Sequence, residues 1–429
     1  MRQNKRLWFK LALALFITAT VSDPSRAEEV VTLKRALTIA LDRNPVLSAA
    51  QFSVASAQAR VTQAVSAYLP QWNATGEYLY HRDETDLSSD DDNDTYAAGF
   101  SISQLVYDFG RTSNQIHNSR YQLNSSQSDL ESVRIALIRD VKTVYFEVLK
   151  RQRLLEVSEE ALQVKQRHLQ QALALYQQGM RPKIDVTRSE AEVSQAELLM
   201  VQARYALQKA RIALETRLGG PPVSGKYALA EVDRMLEMPE KLESLLVLAF
   251  KARPDMSNYQ AQIQAAEATL LSVKRASWPS FNANGAYRFA GTDFPLNERW
   301  EAGLALKWEL FTGFKRSGQI SESEAGVRRL QSLLENRKLE ATEEVTQAYL
   351  QVHEAIEAIR TAQTALRQAK ENLDLAEGRY RAGVSNAIEL SDAQVLYTQA
   401  RSLLVQAVYD HLKAWAGLEF AVGGDLEKI

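Results

Sequence analysis

Glu389 and Asp392 stand at i and i+3, so on a helix their carboxylates share one face. Like charges held this close raise each other's pKa and draw in cations. Repeated about a symmetry axis, the pair would form an acidic ring; alone, it is the solvated start of a helix. The other candidates carry less. The five histidines (His81, His117, His168, His353, His411) are scattered without metal-ligand spacing. There is no cysteine, and no nucleophile–base arrangement is evident. The expectation is therefore no enzyme, no cofactor and no metal. Residues 81–95 hold seven acids (Asp83, Glu84, Asp86, Asp90, Asp91, Asp92, Asp94) against Arg82. They lack the glycine and terminal Glu of a calcium loop, so the stretch reads as a solvated external hairpin loop. Gly220 to Lys226 spells G-x-x-x-x-G-K, but Tyr227 follows where a phosphate loop needs Ser or Thr. Pro221 and Pro222 lack backbone donors, and the stretch follows a helix rather than a strand. It reads as a linker.

The elements that must hold these residues come twice. Residues 33–80 recur 209 positions later, so that Pro45, Pro70, Gly76 and Tyr78 meet Pro254, Pro279, Gly285 and Tyr287. Residues 96–219 recur 204 positions later: Gly99, Tyr176, Gly179 and Glu215 meet Gly303, Tyr380, Gly383 and Glu419. Neither block needs a gap. The chain is one unit built twice, with repeats at 28–219 and 240–429 and a linker at 220–239.

Each copy opens with two short helical patterns broken before a proline, at Pro45 and Pro254, because the residue preceding proline leaves the helical region. Two period-two runs follow, expected as strands at about 71–80 and 96–107, and again at about 280–289 and 300–311. Trp72, Ala74, Gly76, Tyr78 and Tyr80 make one parity, and Tyr96, Ala98, Phe100, Ile102 and Val106 continue it. In the second copy Phe281, Ala283, Gly285, Tyr287 and Phe289 are followed by Trp300, Ala302, Leu304, Leu306, Trp308 and Leu310. The other parity is polar and carries charges such as Glu77, Arg288 and Glu301. Aromatic residues flank both hairpin tips. This pattern fits outer-membrane strands with lipid outside and water within.

Residues 111–178 contain neither Gly nor Pro. Val133, Leu137, Val141, Val144 and Val148 step by three and four, as a coiled-coil seam does. We expect long helices at 111–178 and 319–377, each followed by a second helix, at 184–218 and 388–416. At about 1.5 Å per residue the first spans roughly 100 Å, more than a globular core requires.

Of the 429 residues, 45% are hydrophobic, enough for a sizeable core. Residues 1–27 read as a secretory signal, with Arg2, Lys5, Arg6 and Lys10 before the apolar run Leu11 to Val21, and Ser25-Arg26-Ala27 as a cleavage site with Ala19 as the alternative. Its removal takes away five basic residues and one acid, moving the net charge from −2 to −6, which argues against a nucleic-acid partner. No later segment has the roughly twenty consecutive apolar residues of a membrane helix. Any membrane contact is therefore made by strands. Four strands cannot close a barrel, and open edges in lipid leave backbone groups unpaired. Two chains would give a filled eight-stranded barrel; three would give twelve strands around water. The expected fold is α plus membrane β: a homotrimer with a 12-stranded barrel above a coiled-coil α-helical tunnel.

With its duplicated strand–strand–long-helix unit, the chain resembles the TolC-like outer-membrane efflux proteins over nearly its whole mature length. Two motifs carry the resemblance further: Tyr176-x-x-Gly179-Met180-Arg181-Pro182-Lys183-Ile184-Asp185-Val186, and Tyr380-x-x-Gly383-Val384-Ser385-Asn386-Ala387-Ile388-Glu389-Leu390-Ser391-Asp392. The strand-exit motif Val106-Tyr107-Asp108-Phe109-Gly110-Arg111 is similar as well. The absence of cysteine implies a member without a lipid anchor. The resemblance implies a trimeric exit duct for drugs, metals or secreted proteins, set in the outer membrane of a Gram-negative bacterium and reaching into the periplasm. An inner-membrane pump and a periplasmic adaptor recruit it, in a tripartite efflux or type I secretion system. It further implies that Asp185 and Tyr380 latch the periplasmic gate, that Glu389 and Asp392 form an acidic constriction, and that the tip turns at Gly179, Met180, Gly383 and Val384 contact the adaptor. The arginine that usually completes the latch is Ser385 here. A periplasmic coiled-coil adaptor or structural rod is the alternative, but an inner-membrane anchor and compact β-domains are not apparent in the sequence.

Overall fold

A computed structural model describes residues 29–81, 93–223, 226–232, 241–382 and 384–424. The expected signal sequence, most of the acidic loop, parts of the linker and Gly383 lie outside the described residues.

The chain begins with β1 (Glu29–Val31), α1 (Leu33–Arg43), α2 (Pro45–Ser66), β2 (Gln71–His81), β3 (Asn93–Tyr107), α3 (Arg111–Gln177) and α4 (Lys183–Leu218). After β4 (Tyr227–Leu229) come α5 (Leu242–Ala252), α6 (Pro254–Arg275), β5 (Ser280–Gly291), β6 (Asn297–Lys307), α7 (Lys315–Arg381) and α8 (Ala387–Val422). Corresponding helices of the two repeats have equal lengths of 11, 22, 67 and 36 residues. Among the described residues no helix is long and apolar enough to cross a membrane.

Each repeat closes on itself in the same way. A proline at the first turn of α2 and of α6 breaks the chain from the helix before it. The last helix of the repeat then docks its C-terminus against that break. In the first copy Asn44 Nδ2 donates to the Arg217 carbonyl at 2.8 Å. In the second copy Arg253 Nη1 donates to the Ala421 carbonyl at 2.9 Å. Two residues beyond each carbonyl stands a glycine in the left-handed region, Gly219 (φ 78°) and Gly423 (φ 95°). A Cβ on Gly219 would meet the Arg43 carbonyl oxygen at 2.7 Å, and one on Gly423 the Arg253 amide nitrogen at 2.8 Å. Arg253 is buried, and its charge is met by Asp255 at 2.8 Å and Glu344 at 2.7 Å.

The main sheet has the order β2-β3-β5-β6, antiparallel throughout, with β2 and β6 as its edges. Register gathers the apolar parity of all four strands on one face. One row reads Ala74, Phe100, Tyr287, Trp300, and the next Trp72, Ile102, Gly285, Ala302. The opposite face carries Asn73, Ser101 and Glu301 in one row and Thr75, Arg288 and Arg299 in another. Trp72, Phe100, Trp300, Leu304 and Leu306 are exposed.

Several boundaries differ from the sequence-based expectation. A bulge between Leu105 and Tyr107 drops Val106 from the apolar series and brings Tyr107 opposite Phe281; the extra residue switches parity. β6 ends at Lys307 rather than 311, so Trp308 and Leu310 lie beyond the strand, and Trp308 Nε1 donates to the Ser277 carbonyl at 3.1 Å. The second long helix, expected at 319–377, spans Lys315–Arg381 and passes through Gly378. A mid-helix glycine costs about 1 kcal/mol relative to alanine, and the packing of Leu373, Ala376 and Tyr380 against α8 offsets this. The last helix continues past Ala416 to Val422 because Leu418, Ala421 and Val422 are buried with Leu245 and Ala249 of α5.

The linker contributes structure that periodicity did not reveal. Its strand β4 pairs in parallel with β1. Tyr145 of α3, fully buried, shares its hydroxyl proton between the Val31 carbonyl at 3.0 Å and the Ala230 carbonyl at 2.6 Å. The two ends of the first repeat are thereby fastened to the middle of its long helix, inside a core with Val141, Leu149, Leu214 and Leu218.

Substituting Gly219 by Ala adds two costs: a left-handed conformation, about 1–2 kcal/mol, and a backbone clash that neither helix end can relieve independently. The thermal midpoint of the detergent-solubilised protein is expected to fall clearly in G219A. An unchanged midpoint would show that this closure is not needed.

Candidate functional site

The turns joining α3 to α4 and α7 to α8 lie at the far end of the long helices, roughly 100 Å of helix from the strands. In the first turn Gly179 takes φ 70°. Its amide donates to the Tyr176 carbonyl and that of Met180 to the Leu175 carbonyl, both at 2.9 Å. This Schellman-type closure satisfies the last carbonyls of α3. In the second turn the Val384 amide repeats the bond, to the Arg379 carbonyl at 3.1 Å. Met180 and Val384 are exposed at 61% and 68%, so each turn presents an apolar side chain outward. Gly383, between these bonds, lies outside the described residues.

Asp185 sits in the first turn of α4, where the helix dipole favours a carboxylate. It lines a cavity of about 210 Å³ shared with Tyr380 of α7, Arg188, Glu192 and Ser391. Between Asp185 and Tyr380 stands Arg181. Its guanidinium is 3.8 Å from the Asp185 carboxylate. It also lies 5.8 Å from the centroid of the Tyr380 ring, within reach of a cation–π attraction. The two residues named from sequence thus come to one cavity, and an arginine from the first repeat lies between them.

Glu389 and Asp392 occupy the start of α8, which Asn386 caps by accepting from the Glu389 amide at 2.9 Å. The two carboxylates are unequally placed. Glu389 receives Ser385 Oγ at 2.7 Å and Arg379 Nε at 3.0 Å. Asp392 is exposed. Ser385, at the position where the resemblance leads one to expect an arginine, therefore serves the acidic pair instead.

The sequence model of the outer membrane efflux protein family matches residues 36–220 and 245–424. The chain is an outer membrane efflux protein. It is 27% identical over 409 residues to the pyoverdine export outer membrane protein OpmQ of Pseudomonas aeruginosa, covering 91% of this chain and 84% of that one. It is 24% identical over 426 residues to the outer membrane protein TolC of Vibrio cholerae, covering 96% and 95% respectively. The crystal structure of the Campylobacter jejuni CmeC outer membrane channel superposes with a TM-score of 0.81 at 16% identity, covering 91% of this chain and 85% of that one. The efflux protein is thus an exit channel of a Gram-negative outer membrane, in a family of transport channels.

Within this efflux protein, sequence reasoning missed the residues that reach the site from elsewhere. Arg181 carried a signal, being four residues before Asp185 at the head of a helix. Arg379 carried none, since it meets Glu389 only across the turn. Lys165, twelve residues before the end of α3, and Glu192 and Ser391 gave no local signal either.

The turn geometry makes a contrast with Gly219. A Cβ on Gly179 would have nothing within 4 Å, so Gly179→Ala bears only the left-handed strain, about 1 kcal/mol. The efflux protein is expected to fold with its normal midpoint while amide exchange in the tip turn quickens about fivefold. Protection equal to wild type would refute this account of the turn.

Proposed function

We propose that three copies of the chain assemble into one passive duct, with a 12-stranded barrel in the outer membrane continued by a tunnel of twelve helices through the periplasm. The observation that carries this reading is the four-stranded sheet with two free edges and an apolar outer face. Unpaired backbone in hydrocarbon costs several kcal/mol per group, so the edge of β6 in one copy pairs with β2 of the next. Twelve strands leave the polar face, with Glu77, Arg288, Arg299 and Glu301, around water. The helices support the same assembly. Leu173 and Tyr176 of the α3 seam and Leu198, Leu199, Tyr205 and Ile212 of α4 are exposed in the single chain, and neighbouring copies would cover them. An inner-membrane transporter and a periplasmic adaptor supply the energy and the cargo, which spans drugs, metals or secreted proteins. Met180 and Val384, with Gly179 and Gly383 shaping the turns, form the surface that the adaptor meets.

At rest the tips narrow the tunnel. Asp185 and Tyr380 hold the two helix pairs together through Arg181, which takes the part that Ser385 leaves open. Glu389 and Asp392, three times over, make the constriction acidic, and the outward-facing Asp392 gives it free negative charge. A soluble rod or adaptor has no use for a lipid-facing sheet, and membrane fractionation separates the readings: a duct stays with outer membranes until detergent is added.

In planar bilayers the purified protein is expected to form a trimer with a small cation-selective conductance. Asp185→Ala or Tyr380→Ala, the second removing the ring beside Arg181, should raise that conductance severalfold; unchanged conductance in both variants would remove the latch. Multivalent cations added from the periplasmic side should block the channel, and Glu389→Gln combined with Asp392→Asn should weaken the block at least tenfold. Undiminished block in that double variant would remove the acidic constriction.

A further inference from the structure

Lys165 is 9% exposed although it lies on a helix expected to face water on much of its surface. Its ammonium donates to Glu192 Oε2 of α4 at 2.8 Å and to Ser391 Oγ of α8 at 2.9 Å. Ser391 Oγ in turn donates to Glu192 Oε1 at 2.9 Å. Three side chains from three helices close a ring, and the third helix belongs to the other repeat. Arg188 adds a longer contact to Glu192, at 3.4 Å. Burial alone would raise the Glu192 carboxyl, but the hydrogen bond and charge of Lys165, with Ser391 and Arg188, hold it below the usual carboxylate range.

The position of this ring matters because the two helix pairs are joined differently along their length. Near the middle of α3 the repeats share an apolar core, where Tyr409 and Leu412 of α8 pack with Tyr145, Val148 and Leu149. Toward the tip the apolar clusters withdraw into the α7–α8 hairpin: Ile359, Ala362 and Ala407 form one, and Leu373, Ala376, Leu390 and Ala393 another. Between α3 and α8 a ladder of charges begins beside the shared core and continues toward the tip. Glu147 meets Lys413 at 2.9 Å, Lys150 meets Asp410 at 3.1 Å, and Glu160 meets Arg401. A cavity of about 410 Å³ lined by Val157, Ala161, Leu199 and Leu403 separates the pairs beside the Glu160–Arg401 rung. Below it comes the Lys165 ring, the most shielded rung on the tip side of the shared core, with side-chain exposures of 11% and 25% against 55% and 32% for Glu160 and Arg401. Sixteen residues separate it from Leu149, or about 24 Å of helix.

We propose that Lys165 is a positioning residue for the channel entrance, pinning the α7–α8 hairpin to the α3–α4 pair through Glu192 and Ser391. The inference rests on the duct reading given above and adds a second tie at the wall of the cavity that Arg181, Asp185 and Tyr380 also line. Apolar seams keep the α7–α8 hairpin whole, so the largely polar plane between it and the α3–α4 pair is where the tips part. Separation there takes Ser391 away from both Lys165 and Glu192, so the ion pair of the α3–α4 hairpin loses the hydroxyl that completes its hydrogen bonding. Ser391 makes the pin specific to the second repeat, because it receives the Lys165 proton and passes its own to Glu192.

The test is single-channel conductance of the full-length trimer in planar bilayers. Lys165→Met keeps the length and apolar stem of the side chain and removes the charge; its conductance is expected to rise at least threefold. Lys165→Arg should stay within a factor of 1.5 of wild type. Glu192→Gln should open the channel as Lys165→Met does, and the double variant should be no more open than either single one. Ser391→Ala, which removes no charge and threatens folding least, takes away both bonds to the second repeat and should open the channel as Lys165→Met does. If K165M does not yield trimers, S391A and E192Q decide. The pin is overturned if K165M, or E192Q and S391A in its place, conduct as wild type while D185A opens the channel; the duct then stands without it. It is also overturned if K165R opens as far as K165M. If wild type and every variant carry no current, the duct reading fails, and the pin with it.

Discussion

The outer edges of β2 and β6 are the constraint on which the architecture turns. The amides along those edges cannot be satisfied within one chain, because the sheet ends there and the apolar face beside them excludes water as a partner. A soluble protein could blunt the edges with charge or cover them with a loop. Here the rows Ala74–Phe100–Tyr287–Trp300 and Trp72–Ile102–Gly285–Ala302 commit the same sheet to an apolar environment. In the trimer proposed above, further copies resolve the conflict and also give the exposed leucines and tyrosines of α3 and α4 something to pack against. On that proposal the barrel and the helical tunnel are two parts of one solution.

Different kinds of contact divide the labour below the sheet. On the tip side of the shared core, apolar seams run within the α7–α8 hairpin. Charged and hydroxylic contacts, Glu160–Arg401 and those of Ser391 with Lys165 and Glu192, join the hairpins there. Dispersion and hydrophobic packing are lost steeply once surfaces separate, whereas polar groups regain much of their interaction from water. A channel made of stiff pairs joined by polar ladders has a defined place to yield, and the chain puts its candidate latch residues along that place.

The fold was largely legible because duplication doubles every signal. The 209- and 204-residue offsets located each helix twice, and the breaks at Pro45 and Pro254 follow from proline sterics alone. What escaped was whatever depended on partners distant in sequence. The three-residue strands β1 and β4 are too short to show a period, and their parallel pairing is fastened by the distant Tyr145 hydroxyl. Val106 fitted its alternating series, yet a bulge gave its place to Tyr107. Gly378 resembled a helix end until packing against α8 carried the helix through it. At the tips, Asp185 and Tyr380 were singled out through motif resemblance, Glu389 and Asp392 through their spacing as well, and the cavity gathers Asp185 and Tyr380. Arg181, Arg379 and Lys165 were not found, because a basic residue on a helix looks solvated until the acidic residue it meets is known.

The way each repeat folds back onto its own first helix break bears on how such a chain could arise. A half-length polypeptide ending near Gly219 already contains a sealed helix junction, two strands and a full hairpin, so six such halves could have furnished a comparable wall before any fusion occurred. Joining two of them changed little mechanically but released the copies from identity. Asn44 and Arg253 now perform one docking task with unlike chemistry, and at the two tip turns arginine in one copy and serine in the other meet the carboxylate four residues on.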